Sequence, residues 1–389
     1  MKRKIFCVLS IVASVSLLEA QELTLRVKNP AAFERPLETV EIPWRTLSVA
    51  MNLGKNESVG VLDHGRQCVV QTIDTDGDGT LDVMLFQSAF DASEEKHFLV
   101  RKVSQQLFDS SATDVKYILP RKDVAWENDR IAYRIYGGPL AGDVLDGLDV
   151  WVKRVRSHII DKWYAGDSLK GEKRISYHVD HGEGADFFSV GKSLGAGGCA
   201  LWKEGALHQS GFFTGYSIIA SGPIRAIFMV SYVGDSTDGK PFTEERTYNL
   251  DAGENLNRIE TKYSNLPEDG PVLVAAGLVK RRNTLRFANE KQGWLSLWGP
   301  TNDDSANGNL GTGIVMPVSS FREMKENKEH YLAIGVTSPD KRLVYYAGAG
   351  WTRSGDFPTA NTWNSYLALF AERLKYPLQI DLITKKDIK

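Results

Sequence analysis

Cysteine is scarce in this sequence, with three residues in 389: Cys7, Cys68 and Cys199. That excludes a small disulfide-stapled framework and any paired CxxC metal or redox site. Long apolar runs are also scarce. The one at residues 5–18 is shorter than the roughly 20 residues a bilayer-spanning helix needs. Extended helical periodicity is nearly absent, and so are the GxSxG and HExxH patterns of serine hydrolases and zinc proteases. Charge of one sign is missing too. There are 47 basic and 49 acidic residues, for a net charge of −2, with no basic stripe. Nucleic acid is therefore not an expected partner.

The N-terminus has its own character. Lys2, Arg3 and Lys4 precede the apolar run, and Ala20 follows it. A basic start, a short apolar stretch and a small residue describe a secretory signal peptide, with cleavage after residue 20. Cys7 lacks the small residues that a lipid-anchoring signal places before its cysteine. The expectation is a secreted, periplasmic protein with no membrane anchor after cleavage. In that oxidising compartment Cys68 and Cys199 could pair. Nothing in the sequence fixes their separation, and two separate buried thiols is the simpler reading.

Short alternating runs dominate the rest, at residues 23–27, 131–136, 224–233, 256–263, 272–279, 331–336 and 343–347. Many short strands separated by Gly, Asn and Asp turns predict a mainly β protein, a sandwich or barrel. One helix is expected where Trp363, Tyr366, Leu367, Phe370 and Leu374 share an apolar face, with Asn361 or Thr362 as its cap and Pro377 beyond its end. The polar stretch at 104–114 reads as a linker. It would divide an N-terminal β-module (21–110) from a larger β-domain (115–389). Residues 302–309 read as an exposed loop.

The densest chemistry lies at residues 177–188, YHVDHGEGADFF. His178, Asp180, His181, Glu183 and Asp186 surround two glycines, with Asp161 upstream. No strand needs that composition for packing. Histidine suits proton transfer or metal ligation near neutral pH. Read as a strand, the segment puts His178 and Asp180 on one face, with His181 on the other or already in the turn opened by Gly182. Just upstream, DKWY offers Lys162 and Tyr164 as proton donors and Trp163 as a surface for stacking on a sugar. Residues 191–202, ending in Trp202, are glycine-dense and suggest tight backbone near a pocket. The segment DTDGDGTLD at 74–82 resembles the opening of a calcium loop, with Asp74, Asp76, Asp78 and Asp82 as oxygen ligands for Ca²⁺ or another divalent metal. Its twelfth place is Leu85, and its flanks look like strands, so an Asp/Gly-rich hairpin turn is the plainer reading. No other cofactor is indicated. Tryptophans beside acidic and histidine loops in a secreted β protein fit a carbohydrate ligand.

WENDRIAYRIYG, DKWY, SYHVDHGEGADFFSVGKSLGAGG, DTDGDGTLD and the late W-N-S-Y together resemble a secreted family from polysaccharide-utilisation loci of glycan-degrading bacteria. The resemblance runs over about residues 22–380. It is a family of unknown function associated with an oligosaccharide dehydratase acting on ulvan fragments. The fold expected is a β-supersandwich of the galactose-mutarotase-like kind, with a few short helices. The activity implied is removal of water from a non-reducing-end uronic acid to leave a 4,5-unsaturated uronyl residue. Such chemistry needs a base for the C5 proton, an acid for the departing C4 oxygen and a cation on the carboxylate. The chain offers His178 or His181 as base, Tyr164 or Lys162 as acid, and Arg134 or Arg225 as carboxylate partner. Trp126, Trp163, Asp180 and Trp202 are the remaining candidates for holding a uronic-acid oligosaccharide. Three alternatives stay open on the residues alone: a polysaccharide lyase, a glycoside hydrolase using Glu183 and Asp186, and a non-catalytic carbohydrate-binding protein.

Overall fold

The computed structural model describes residues 22–383, apart from 56, 105–110, 139–143, 236–240, 267–268 and 303–304. The expected signal peptide, and most of the expected linker, lie outside the described residues.

The protein is mainly β, built of antiparallel sheets packed face to face. Residues near the N-terminus form their own small sandwich. One layer runs Gln379–Ile383, Glu22–Lys28, Glu95–Val103, Ser58–Asp63, Arg66–Gln67 in spatial order; the other runs Arg35–Pro43, Val83–Phe90, Val70–Ile73. Strict alternation buries Leu23, Leu25 and Val27 on one face of the first strand, as a period-2 pattern requires. They pack with Val61, Phe98, Val100, Val40 and Phe86, and with Trp44 and Leu47 of helix α1 (Trp44–Ala50). The C-terminal strand Gln379–Ile383 pairs with Glu22–Lys28, so this first sheet is completed by residues more than three hundred positions away.

The larger body is a sandwich around one extensive core. Its main layer has eight strands, in the order Gly215–Ser221, Arg225–Asp235, Pro241–Asp251, Leu256–Ser264, Arg342–Trp351, Asn309–Val315, Trp294–Pro300, Leu285–Asn289. Two five-stranded sheets cover its inner face. One contains Thr113–Ile118, Asp123–Asn128, Ile131–Tyr136, Asp149–Lys153 and Gly184–Ala185. The other contains Ala206–His208, Ala196–Lys203, Leu273–Val279, His330–Val336 and Phe321–Glu326. Trp126, Tyr133, Phe228, Tyr248 and Tyr345 fill the space between. Cys199 lies in this core and Cys68 belongs to the N-terminal sandwich, and both are free thiols.

The periodic segment near the C-terminus forms a helix, Ala360–Lys375, here α3, after α2 (Ile160–Ser168). Its cap is Thr359, two positions before Asn361 and three before Thr362. The Thr359 side chain accepts from the Thr362 N–H, and Thr362 answers it in a reciprocal box. Trp363 sits directly over the eight-stranded sheet. Gly311 lies beneath it because a Cβ there would stand 2.6 Å from the indole. Thr113–Ile118 is a strand, so regular structure begins inside the expected linker. Of the expected loop at 302–309, residues 305–307 form a 3₁₀ turn.

Candidate active site

The outer face of the sheet that starts at Thr113–Ile118 carries the site. Its inward residues, such as Trp126 and Tyr133, enter the core, so the alternate residues Ala125, Ala132, Arg134 and Trp151 point away from it. Helix α2 lies over this face and buries Ile160 and Trp163 against Trp151 and Tyr177. No side chain near its start caps it. Instead the Glu127 carboxylate accepts the Ile159 and Ile160 N–H groups at 2.8 and 2.9 Å. Lys153 donates to the same carboxylate at 2.6 Å. Burial pulls the Lys153 ammonium below the usual lysine range, with Glu127 opposing.

Arg134 stands at the centre. It is buried and bonds Asp149 at 2.8 Å through Nε and Asp186 at 2.8 Å through Nη2. Tyr136 donates to Asp149 at 2.8 Å, and Trp151 Nε1 donates to the same oxygen at 3.3 Å. The guanidinium also lies 5.0 Å from the Tyr136 and Trp151 ring centres. Two carboxylates thus share one guanidinium away from water. Burial, and then repulsion from Asp149, push the Asp186 carboxyl well above the usual range, against the pull of Arg134. Its Oδ1 is buried and has no hydrogen-bond partner among the described residues.

Tyr177 and His178 bring this buried set to the surface. Arg134 Nη1 donates to the Tyr177 hydroxyl at 3.3 Å. Burial raises the Tyr177 phenol above its ordinary value, so it carries its proton, although Arg134 and Arg121 oppose the shift. The His178 ring packs 4.6 Å from the Tyr177 ring. His178 Nδ1 lies 2.9 Å from the Asp186 backbone oxygen. A carbonyl can only accept, so this contact fixes the proton on Nδ1 and leaves Nε2 of the neutral ring bare. The side chain is 56% exposed, so a ligand can reach that nitrogen. Arg121 completes the rim. Its Nε bonds Asp123 at 2.9 Å, while about a third of the side chain is exposed.

The remaining candidates fall in several places. Tyr164 belongs to this group, but its hydroxyl points inward and donates to Asp123 at 3.0 Å. Lys162 pairs with Glu183 at 2.7 Å on the exposed side of α2. His181 lines a hollow of about 380 Å³ with Lys162, Trp163, Tyr177 and Glu183. Trp163 offers that hollow an edge, since its face stacks on Trp151. Residues 177–180 form a turn, not the expected strand, so the predicted sharing of a face by His178 and Asp180 does not hold. Asp180 accepts the N–H groups of Gly182 and Gly184, both with left-handed φ, and binds Arg154 at 3.2 Å. It shapes the turn that presents His178.

Three of the expected binding residues lie elsewhere. Trp126 is fully buried and donates to Asn257 at 2.6 Å, which makes it a core residue and not a stacking surface. Trp202 is half-buried on another sheet, packed against a separate apolar cluster. Arg225 lies on the outer face of the eight-stranded sheet, clamped to Asp251 and Glu41. The segment 74–82 is a hairpin turn between Val70–Ile73 and Val83–Phe90. The Asp74, Asp76 and Asp78 carboxylates lie within 4.8 Å of one another. Asp82 stands outside that group, because its Oδ2 accepts from the Thr75 N–H and hydroxyl.

Reading the sequence missed Tyr177, Arg121, Asp149 and Tyr136. Tyr177 had a signal, since it directly precedes His178 in the densest motif. Asp149 is brought in only by its strand pairing with Arg134, and Arg121 by the turn that joins Thr113–Ile118 to Asp123–Asn128.

The profile of a family described as "Domain of unknown function (DUF4861)" matches residues 27–380. A protein of Formosa agariphila described as "Uncharacterized protein P7" is 33% identical over 389 residues, with 94% of each chain covered. Among solved structures, a glycosyl hydrolase family 38 protein from Enterococcus faecalis superposes with a TM-score of 0.51 at 11% identity, covering 94% of this chain and 48% of that one. An α-mannosidase from Enterococcus faecalis V583 gives 0.49 at 10% identity, with 94% and 46% covered. The chain spans about half the length of these solved structures, and the first of them bears out the β-sandwich fold.

Proposed function

Because the chain belongs to the DUF4861 family, which brings no activity with it, we propose a function from the chemistry of the site itself: elimination of water from a terminal uronic acid of an oligosaccharide. The observation that carries this reading is the His178 ring, held by the Asp186 carbonyl at 2.9 Å through Nδ1 with more than half of its side chain exposed. It sits beside a protonated tyrosine and a partly exposed arginine.

The three requirements of the elimination map onto neighbouring groups. Arg121 pairs with the substrate carboxylate and stabilises the charge that develops on it as the C5 proton leaves. His178 Nε2 takes that proton. The C5–H electrons form the C4–C5 double bond, the C4–O bond breaks, and the Tyr177 hydroxyl protonates the departing oxygen as water. Exchange with solvent then returns the imidazolium and the phenolate to their starting forms. Arg134 stays behind Tyr177, held by its two carboxylates, and steadies the phenolate while it lasts. A hydrolase built on Glu183 and Asp186 has less support. Asp186 is buried on Arg134, and Glu183 is held by Lys162 and Trp163.

The test is incubation of the purified protein with uronic-acid oligosaccharides. The expected product absorbs in the ultraviolet as a conjugated enol-uronate and is lighter than its substrate by one water. Shortened chains bearing the same chromophore would mean lyase chemistry. New reducing ends without absorbance would mean hydrolysis. Saturable binding with no product would leave only a binding protein.

A further inference from the structure

Two hollows larger than the one beside His181 lie away from this site. They lie on the opposite face of the sandwich, over the outer surface of the eight-stranded sheet, with volumes of about 1160 and 800 Å³. Met229, Thr247, Glu260 and Arg342 line both, so the two form one continuous groove. Met229, Thr247 and Glu260 stand in a single cross-strand row on its floor. One wall is the acidic turn of the N-terminal sandwich, and another is Gly215–Ser221, where Ile218 is exposed. Helix α3 closes the far end with Phe370 and Leu374.

We infer that this groove is a second ligand site, which binds a neutral oligosaccharide chain. Shape is the first argument. Single small-molecule pockets run to about 300–1,000 Å³, and a continuous open trough of this size suits an extended chain of rings. Charge is the second. The floor is strongly polar, and its charges of opposite sign stand side by side, with Glu245 facing Lys262 across the strand pair. Glu260 accepts from Arg258 at 2.9 Å and from Arg342 at 2.6 Å. Arg225 is held by Asp251 and Glu41. A uronate or phosphate entering here would have to break one of these pairs. Hydroxyl groups need not, because paired carboxylates and guanidiniums keep spare lone pairs and N–H groups in fixed directions. Apolar side chains interleave with them (Ile218, Met229), which suits the C–H faces of pyranose rings. The core separates this groove from the His178 site, so the inference does not rest on the elimination reading.

Isothermal titration with neutral hexaoses of β-linked xylose, glucose and mannose tests it, with a uronic-acid hexaose as the charged comparison. We expect at least one neutral hexaose to bind, with the neutral form preferred. Thr247→Arg, which fills the groove where its two halves meet, weakens that binding by about tenfold or more. Ser217→Arg narrows the exposed rim on a solvent-facing position, so it remains informative should Thr247→Arg fail to fold. His178→Ala leaves the neutral-sugar affinity unchanged. The proposal is overturned if no neutral hexaose binds, or if binding survives both groove variants, or if His178→Ala removes it.

Discussion

At the scale of single residues, the proposed elimination gives His178 and Arg121 separable parts. His178→Ala removes only an exposed ring, so the melting temperature should stay near that of the parent. Turnover of a uronic-acid oligosaccharide should fall by about 10²–10⁴-fold, the usual contribution of a positioned base. Steady-state kinetics with a parallel thermal melt decide this, and a variant that turns over normally removes His178 from the mechanism. Arg121→Gln should lower kcat/KM by about ten- to a hundredfold, the range of a lost charge-assisted contact. The same variant should differ little from the parent on a substrate whose carboxylate has been esterified, and equal losses on both substrates would deny Arg121 that role. Asp186 gives a pH signature. Its folded pKa is raised by burial and by Asp149. The native state therefore holds a proton that the unfolded chain releases above about pH 4. Its contribution to stability is full below that value and is lost as pH rises through the raised folded value. Asp186→Asn should flatten this fall, as read from melting temperature against pH; an unchanged slope would show that Asp186 is ionised in the fold. Little of this was legible residue by residue. YHVD alternates like a strand, yet Asp180 draws its own chain into a turn through Gly182 and Gly184. A side chain capturing nearby backbone outweighs a two-residue period.

At the scale of elements, α2 is the informative one. It is short, its own residues do not cap it, and its register on the sheet depends on Glu127. Removing that carboxylate frees two helix N–H groups and strands the Lys153 ammonium in the interior. Glu127→Ala should cost roughly 3–5 kcal/mol, the range for breaking a buried ion pair from one side. The deficit should shrink as pH rises towards the ordinary lysine value of about 10.4, because a buried Lys153 left with only the Asn128 carbonyl at 2.7 Å sheds its proton in the fold before it does in the unfolded chain. Denaturant titrations at neutral and alkaline pH test both statements, and a deficit constant across pH would point to helix capping alone. This also explains why α3 could be read from the sequence and α2 could not. Helix α3 shows an apolar face over four turns and carries its cap within itself. Helix α2 is specified from a strand more than thirty residues earlier, and no local window contains that signal.

At the scale of the whole molecule, the sandwich was legible because alternation recurs in strand after strand, and each run reports its own two faces. Which strands become neighbours was not. Nothing in Gln379–Ile383 announces that it pairs with Glu22–Lys28, although Arg26 and Asp381 meet across the pair at 2.8 Å. Leu378, Ile380 and Leu382 pack on the N-terminal core. Deleting residues 378–389 should therefore destabilise the N-terminal sandwich first and uncover the edge of Glu22–Lys28. Hydrogen exchange followed by mass spectrometry should show protection lost around Leu23–Val27 while Phe228 and Tyr248 stay protected; uniform loss, or none, would contradict this. The same strand sets an order of events for a chain emerging from a ribosome. The sheet begun by Glu22–Lys28 waits for Gln379–Ile383, so its edge stays open while the residues between them are made. Until Gln379–Ile383 arrives, the N-terminal sandwich keeps an unpaired strand at its rim.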